Sequence, residues 1–85
     1  MPKPRTPSGE KNLISKHLIE LREKRGLSQR DLAHKLQLAG YDIDKNVITR
    51  IETNQRFVTD IELQALCQVL GVDFDDLIDR ENHET

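Results

Sequence analysis

Between Asp44 and Thr53 the chain reads Asp-Lys-Asn-Val-Ile-Thr-Arg-Ile-Glu-Thr. Wound at about 100° per residue, this stretch separates into two unlike faces. Val47, Ile48 and Ile51 fall on one side, and Asn46, Thr49, Arg50 and Thr53 share the other. The second set holds an amide, two hydroxyls and one guanidinium, with no carboxylate, in a chain that is 33% charged and has acids in excess. An idle solvent face would carry both signs. The chemistry such a set performs is hydrogen-bonded recognition. A guanidinium spans O6 and N7 of guanine and an amide pairs with N6 and N7 of adenine, in a major groove wide enough to admit a helix. Reaction chemistry has no comparable constellation. His17, His34 and His83 stand without nucleophile-base spacing, and His17 with Glu20 makes a solvated pair that lacks a third metal ligand. No catalytic residue, no cofactor and no metal are expected.

The neighbouring stretches have the marks of a mount for that helix. Asn12 is a reasonable cap for a first helix in which Ile14, Leu18 and Leu21 recur at helical spacing up to Arg25, where Gly26 supplies a left-handed stop. Leu27-Ser28-Gln29-Arg30-Asp31-Leu32 is a complete helix start, with Ser28 as cap, Asp31 in the capping-box position and Leu27 stapled to Leu32. Leu32, Ala33 and Leu36 face inward. Gln29 and Arg30 lie in the first turn, where free N–H groups and the positive dipole end favour a phosphate; the alternative is ordinary polar capping, which needs no ligand. This second helix is expected to continue through Ala39 and stop at Gly40, leaving a connector from Gly40 to Ile43 with Tyr41 over the helix end.

Asp44 then caps the third helix, with Ile43 and Ile48 stapled across it. Glu52 falls beside Ile48, toward the core, and a carboxylate there needs a partner because unpaired burial is costly. Asn54 to Val58 reads as a loop. Thr59-Asp60-Ile61-Glu62 repeats the capping box, and Leu63, Leu66, Cys67 and Leu70 form the inner face of a fourth helix ended by Gly71. A short fifth helix follows up to Ile78, its acids suited to a helix start.

Eighty-five residues make one domain with a small core. The expected organisation is a basic, proline-rich arm over residues 1–11, a folded domain over 12–78 and an acidic tail over 79–85. The arm reads as a frayed terminus or, alternatively, as a segment that follows a phosphate backbone or enters a minor groove. No apolar run approaches the roughly 18 residues of a membrane span, and the first residues lack the hydrophobic segment of a secretory signal, so a cytoplasmic protein is expected. The lone Cys67 suits a reducing compartment and core filling. A net charge of -2 hides an uneven distribution. Residues 73–85 carry six acids against Arg80 alone, whereas residues 1–72 carry twelve basic and nine acidic side chains. A mildly basic body with an acidic tail still binds DNA through a local patch.

The sequence resembles the phage-repressor-type (lambda repressor-like) helix-turn-helix family of DNA-binding domains. The likeness is carried by residues 21–33 (Leu21 to Ala33, with Gly26-Leu27-Ser28-Gln29 at its centre), by Val47-Ile48-Thr49-Arg50-Ile51-Glu52, and by Leu66 to Leu70 with Gly71-Val72. It implies an all-α, compact five-helix bundle whose second and third helices form the helix-turn-helix, with the third in the major groove. It puts Lys45, Asn46 and Arg50 where the family reads bases, Ser28 and Gln29 where the second helix meets phosphate, and Asn54, Gln55 and Arg56 in a loop that often does the same. It also implies a structural ion pair between Arg22 and Glu52. The sequence departs from the family between the second and third helices: Leu36 and Asp44 are separated by seven residues where relatives have a tight turn.

Taken together, these readings lead us to expect a sequence-specific regulator of transcription, a small stand-alone repressor. Thr49 joins the base readers, and Arg30 and Lys35 the phosphate contacts. Double-stranded DNA is the expected partner, and a homodimer using the fifth helix and its flanks the expected state. The competing reading is an antitoxin-like module on the same fold whose main partner is another protein, favoured by the acidic C-terminal segment.

Overall fold

A computed structural model describes residues 5, 7 and 9–78. Five helices follow one another: α1 (Ser15–Lys24), α2 (Gln29–Leu38), α3 (Lys45–Glu52), α4 (Asp60–Leu70) and α5 (Phe74–Leu77). There is no strand among the described residues, so the fold is all-α. No helix among them is long and apolar enough to cross a membrane. The acidic tail from Asp79 onward lies outside the described residues.

Three of the helix starts are fixed within four residues of sequence. Ser28 Oγ accepts from the Asp31 N–H at 2.9 Å, and the Asp31 carboxylate accepts from the Ser28 N–H at 3.0 Å. The Ser28 N–H, and after it the Ser28 hydroxyl, hold the exposed Asp31 carboxyl below the usual carboxylate range. Thr59 and Glu62 repeat this exchange at α4, both bonds at 3.1 Å. Asp44 Oδ1 accepts from the Val47 N–H at 3.0 Å and opens α3. The start of α1 is built differently. Asn12 Oδ1 accepts from the N–H groups of Ile14 and Ser15 at 3.1 and 3.0 Å, so the expected cap works from three residues upstream of the helix.

The long connector between α2 and α3 is a pinned loop. Helix α2 ends at Leu38, a residue short of the expected end, and Gly40 turns the chain with a φ of 97°. Only a residue without Cβ takes that angle without strain. The Tyr41 N–H donates to the Leu36 carbonyl at 3.0 Å, and the Tyr41 hydroxyl donates to Gln68 Oε1 on α4 at 2.8 Å. Tyr41 thus closes the end of α2, and the extra residues are spent fastening the loop to a third element.

The core draws on every helix: Ile14 and Leu18, then Leu32, Ala33 and Leu36, then Ile48 and Ile51, then Ala65, Leu66 and Leu70, and finally Leu77, with Ile43 entering from the connector. Helix α3 packs against both α1 and α2, and α4 backs α2 and α5. Cys67 is partly buried beside this core, where burial first and then Asp73 and Asp76 raise its thiol pKa, as suits a filling residue.

Candidate nucleic-acid interface

The site begins with what α3 hides. Ile48 and Ile51 are wholly buried, and Val47 packs half-buried beside them. Because side chains advance by about 100° each, burying these leaves Lys45, Asn46, Arg50 and Thr53 on the open side, where all four are exposed. No acid lies on that strip. Cation, amide and guanidinium therefore face outward from a helix whose back is locked in the core, while the Thr53 hydroxyl folds back to donate to the Thr49 carbonyl at 2.8 Å.

Thr49 departs from the expectation that it projects outward with them. It is half-buried, and its Oγ1 lies 2.8 Å from Gln29 Oε1 and 3.0 Å from the Lys45 carbonyl, two acceptors that share its one proton. The start of α2 lies against this edge of α3 and takes the hydroxyl. Thr49 is therefore a contact between helices, its one proton already claimed from within the fold.

Gln29 continues the chain of bonds. Its Nε2 donates to Glu52 Oε1 at 2.8 Å, and Glu52 also accepts from Arg22 Nε at 2.7 Å and Nη2 at 3.1 Å. The Arg22 fork is completed by Nη1 on the Leu27 carbonyl at 2.8 Å. The two charged side chains are only 12% and 4% exposed, which makes this a buried pair whose value depends on every polar atom finding a partner. Every one does: among the described residues no buried side-chain nitrogen or oxygen lacks a bond. The hydrogen bond and charge of Glu52 raise the Arg22 pKa further, so the guanidinium stays charged at any pH the protein meets. Arg22, Gln29, Thr49 and Glu52 thereby tie α1, α2 and α3 into one orientation.

Of the expected phosphate contacts, Ser28, Arg30, Lys35 and Gln55 are exposed. The Ser28 oxygen accepts within the cap, and its hydroxyl also bonds the Asp31 carboxylate. Arg56 Nη1 donates to Glu62 Oε2 at 2.9 Å, and its fork keeps further N–H groups for another acceptor. Asn54 is half-buried. Its Oδ1 accepts from the N–H groups of Lys11 and Asn12 at 2.6 and 3.3 Å, while its Nδ2 donates to the Asn12 carbonyl and Ser15 Oγ at 3.2 and 3.1 Å. Both ends of the amide are thus engaged inside the molecule. The Gln29 amide is likewise committed first to bracing α3; the Asp31 N–H is taken by the cap, and the N–H groups of Gln29 and Arg30, which have no intrahelical partner, are the donors at that place. Among the described residues no group of three His, Cys, Asp or Glu is placed to hold a metal.

Two successive helices held by a pinned connector, the second with a buried back and an acid-free polar front, define a helix-turn-helix DNA-binding domain. The helix-turn-helix family model HTH_3 matches residues 18–77, and the chain belongs to this family. No curated protein matches it. Among solved structures it is similar to the restriction-modification controller protein C.AhdI from Aeromonas hydrophila, with 28% identity and a TM-score of 0.67 over 76% of this chain and 87% of that one. The chain is a small DNA-binding transcriptional regulator by fold and family.

Proposed function

We propose that the protein recognises a specific duplex sequence by laying α3 in the major groove and that it acts there as a repressor. The observation that carries this reading is the strip of Lys45, Asn46 and Arg50, exposed and free of acids on a helix whose opposite face is buried and tied to α1 and α2. Arg50 takes guanine through O6 and N7, and Asn46 takes adenine through N6 and N7. Ser28, Arg30, Lys35, Gln55, Arg56 and the N–H groups at the start of α2 hold phosphates and set the register without choosing sequence. The work is binding, with no bond made or broken.

A homodimer fits this geometry. Half-sites one helical turn apart are separated by about 34 Å, a spacing comparable to the 36 Å length of one molecule. The likeness to a restriction-modification controller protein supports a controller's role. Selection of bound sequences from random duplex DNA at two salt concentrations tests the proposal. The expected result is a two-fold symmetric motif whose affinity falls steeply with salt. A pool with no enriched motif, or a stoichiometric protein partner captured without salt-sensitive DNA binding, would overturn it.

A further inference from the structure

Asn54 has the only positive φ of any non-glycine residue described, 59°, one position beyond the C-cap of α3. A glycine would take that angle at no cost. The asparagine side chain instead fastens the four bonds to Lys11, Asn12 and Ser15, which lie 39 to 43 residues earlier. Asn12 returns the grip. It is one of two buried polar residues described, 8% exposed, and its Nδ2 donates to the carbonyls of Ile51 and Arg56, on either side of Asn54, at 3.2 and 3.1 Å. Further up the chain the Arg5 guanidinium stands 6.0 Å from the centre of the Phe57 ring, the next residue along the same loop. Lys11 and Asn12 therefore lie against the α3–α4 connection at Asn54, and Arg5 stands at Phe57.

From this we infer that Arg5 and Lys11 form a second contact with the DNA that α3 binds, on its sugar-phosphate backbone, and that Asn54 is the latch that positions them. The inference rests on the reading of α3 given above. A helix lying in the major groove is followed by a loop that rises over the groove wall, where the phosphates are. The latch brings two cations to that loop, beside Gln55 and Arg56. Stacking on Phe57 leaves the guanidinium edge of Arg5 able to donate to an anion. A root already fixed by hydrogen bonds loses little further freedom when DNA arrives, so the contact is pre-organised. Phosphate diesters are the matching ligand because two cations without a shaped pocket recognise charge and spacing, not base identity.

The test measures binding of the full-length chain to two duplexes, the one the wild type enriches from random DNA and an unrelated one, across a salt series. Arg5→Ala with Lys11→Ala is expected to weaken both duplexes by the same factor and to flatten the log affinity against log salt slope by about 2, one unit per lost phosphate contact, with base preference intact. Asn54→Gly keeps the left-handed turn and removes the latch. It is expected to flatten the slope in the same direction and to add nothing once Arg5 and Lys11 are gone. A double variant with unchanged slope and affinity, while Arg50→Ala still loses base preference, overturns the arm contact and leaves the α3 reading standing. An Asn54→Gly effect that adds fully to the double variant overturns the latch. A wild type with no salt-sensitive DNA binding overturns both readings.

Discussion

Thr49 and Arg50 are adjacent in sequence, both polar and both on the helix assigned to recognition, yet they belong to different regions of the molecule. Thr49 turns against α2, where its hydroxyl meets Gln29, and through Gln29 it reaches the Glu52–Arg22 pair. Arg50 shares the exposed strip with Lys45 and Asn46. The brace is enclosed and closed on itself, with each donor matched to an acceptor; the strip has room for acceptors from outside. Polarity therefore does not identify a reader. What separates the two is whether the fold already uses the side chain's hydrogen bonds.

Substitutions should divide along the same line, with the brace showing in stability and the strip in sequence preference. The largest effect is expected from Glu52→Ala, which leaves Arg22 and Gln29 facing an empty place. Breaking a buried pair from one side costs about 3–5 kcal/mol, a large part of the roughly 5–15 kcal/mol that holds a domain folded. Chemical denaturation would show it as a lowered midpoint. A loss below about 1 kcal/mol, the range of exposed ion pairs, would mean that the brace is not a brace. Thr49→Val keeps the shape and deletes the hydroxyl, so about 0.5–1.5 kcal/mol of stability should go with base preference retained. Thr59→Ala, at a cap remote from the strip, should cost about 1 kcal/mol and leave DNA preference unchanged.

The smallest effect concerns Asp31. Its carboxyl pKa is lowered by the Ser28 bonds, so the folded state favours the charged form. The stability this gives is present above the ordinary aspartate range and is lost as pH falls through the lowered pKa. The stability difference between wild type and Asp31→Asn should therefore shrink as the solution is acidified, a trend readable from thermal melts across the acid range. A difference that stays constant to the lowest pH would show that the charge plays no part in the cap.

Much of this arrangement was legible before any coordinates. The starts of α2, α3 and α4 depend on side chains that bond within three residues, so Ser28, Asp44 and Thr59 announce them locally. Glu52 could be placed toward the core by its angle from Ile48, and the cost of burying it alone required a partner. Thr49 escaped the same reasoning because a helical wheel gives a direction and not the neighbour met in that direction. Asn12 and Asn54 escaped it for a different reason: their partners lie 39 to 44 residues away, beyond the reach of any local pattern. The seven residues between Leu36 and Asp44 signalled a departure from a tight turn, but not that Tyr41 would reach across to Gln68.

The distinction between reader and brace is tested most directly by the affinities of wild type, Arg50→Ala and Thr49→Val for the selected duplex and its complete set of single-base variants. The account predicts that Arg50→Ala loses about 1–3 kcal/mol of discrimination at one base pair of each half-site while folding as stably as the wild type, and that Thr49→Val keeps the wild-type pattern of preferences. Loss of discrimination in Thr49→Val, or an Arg50→Ala protein weakened equally on every duplex, would contradict it.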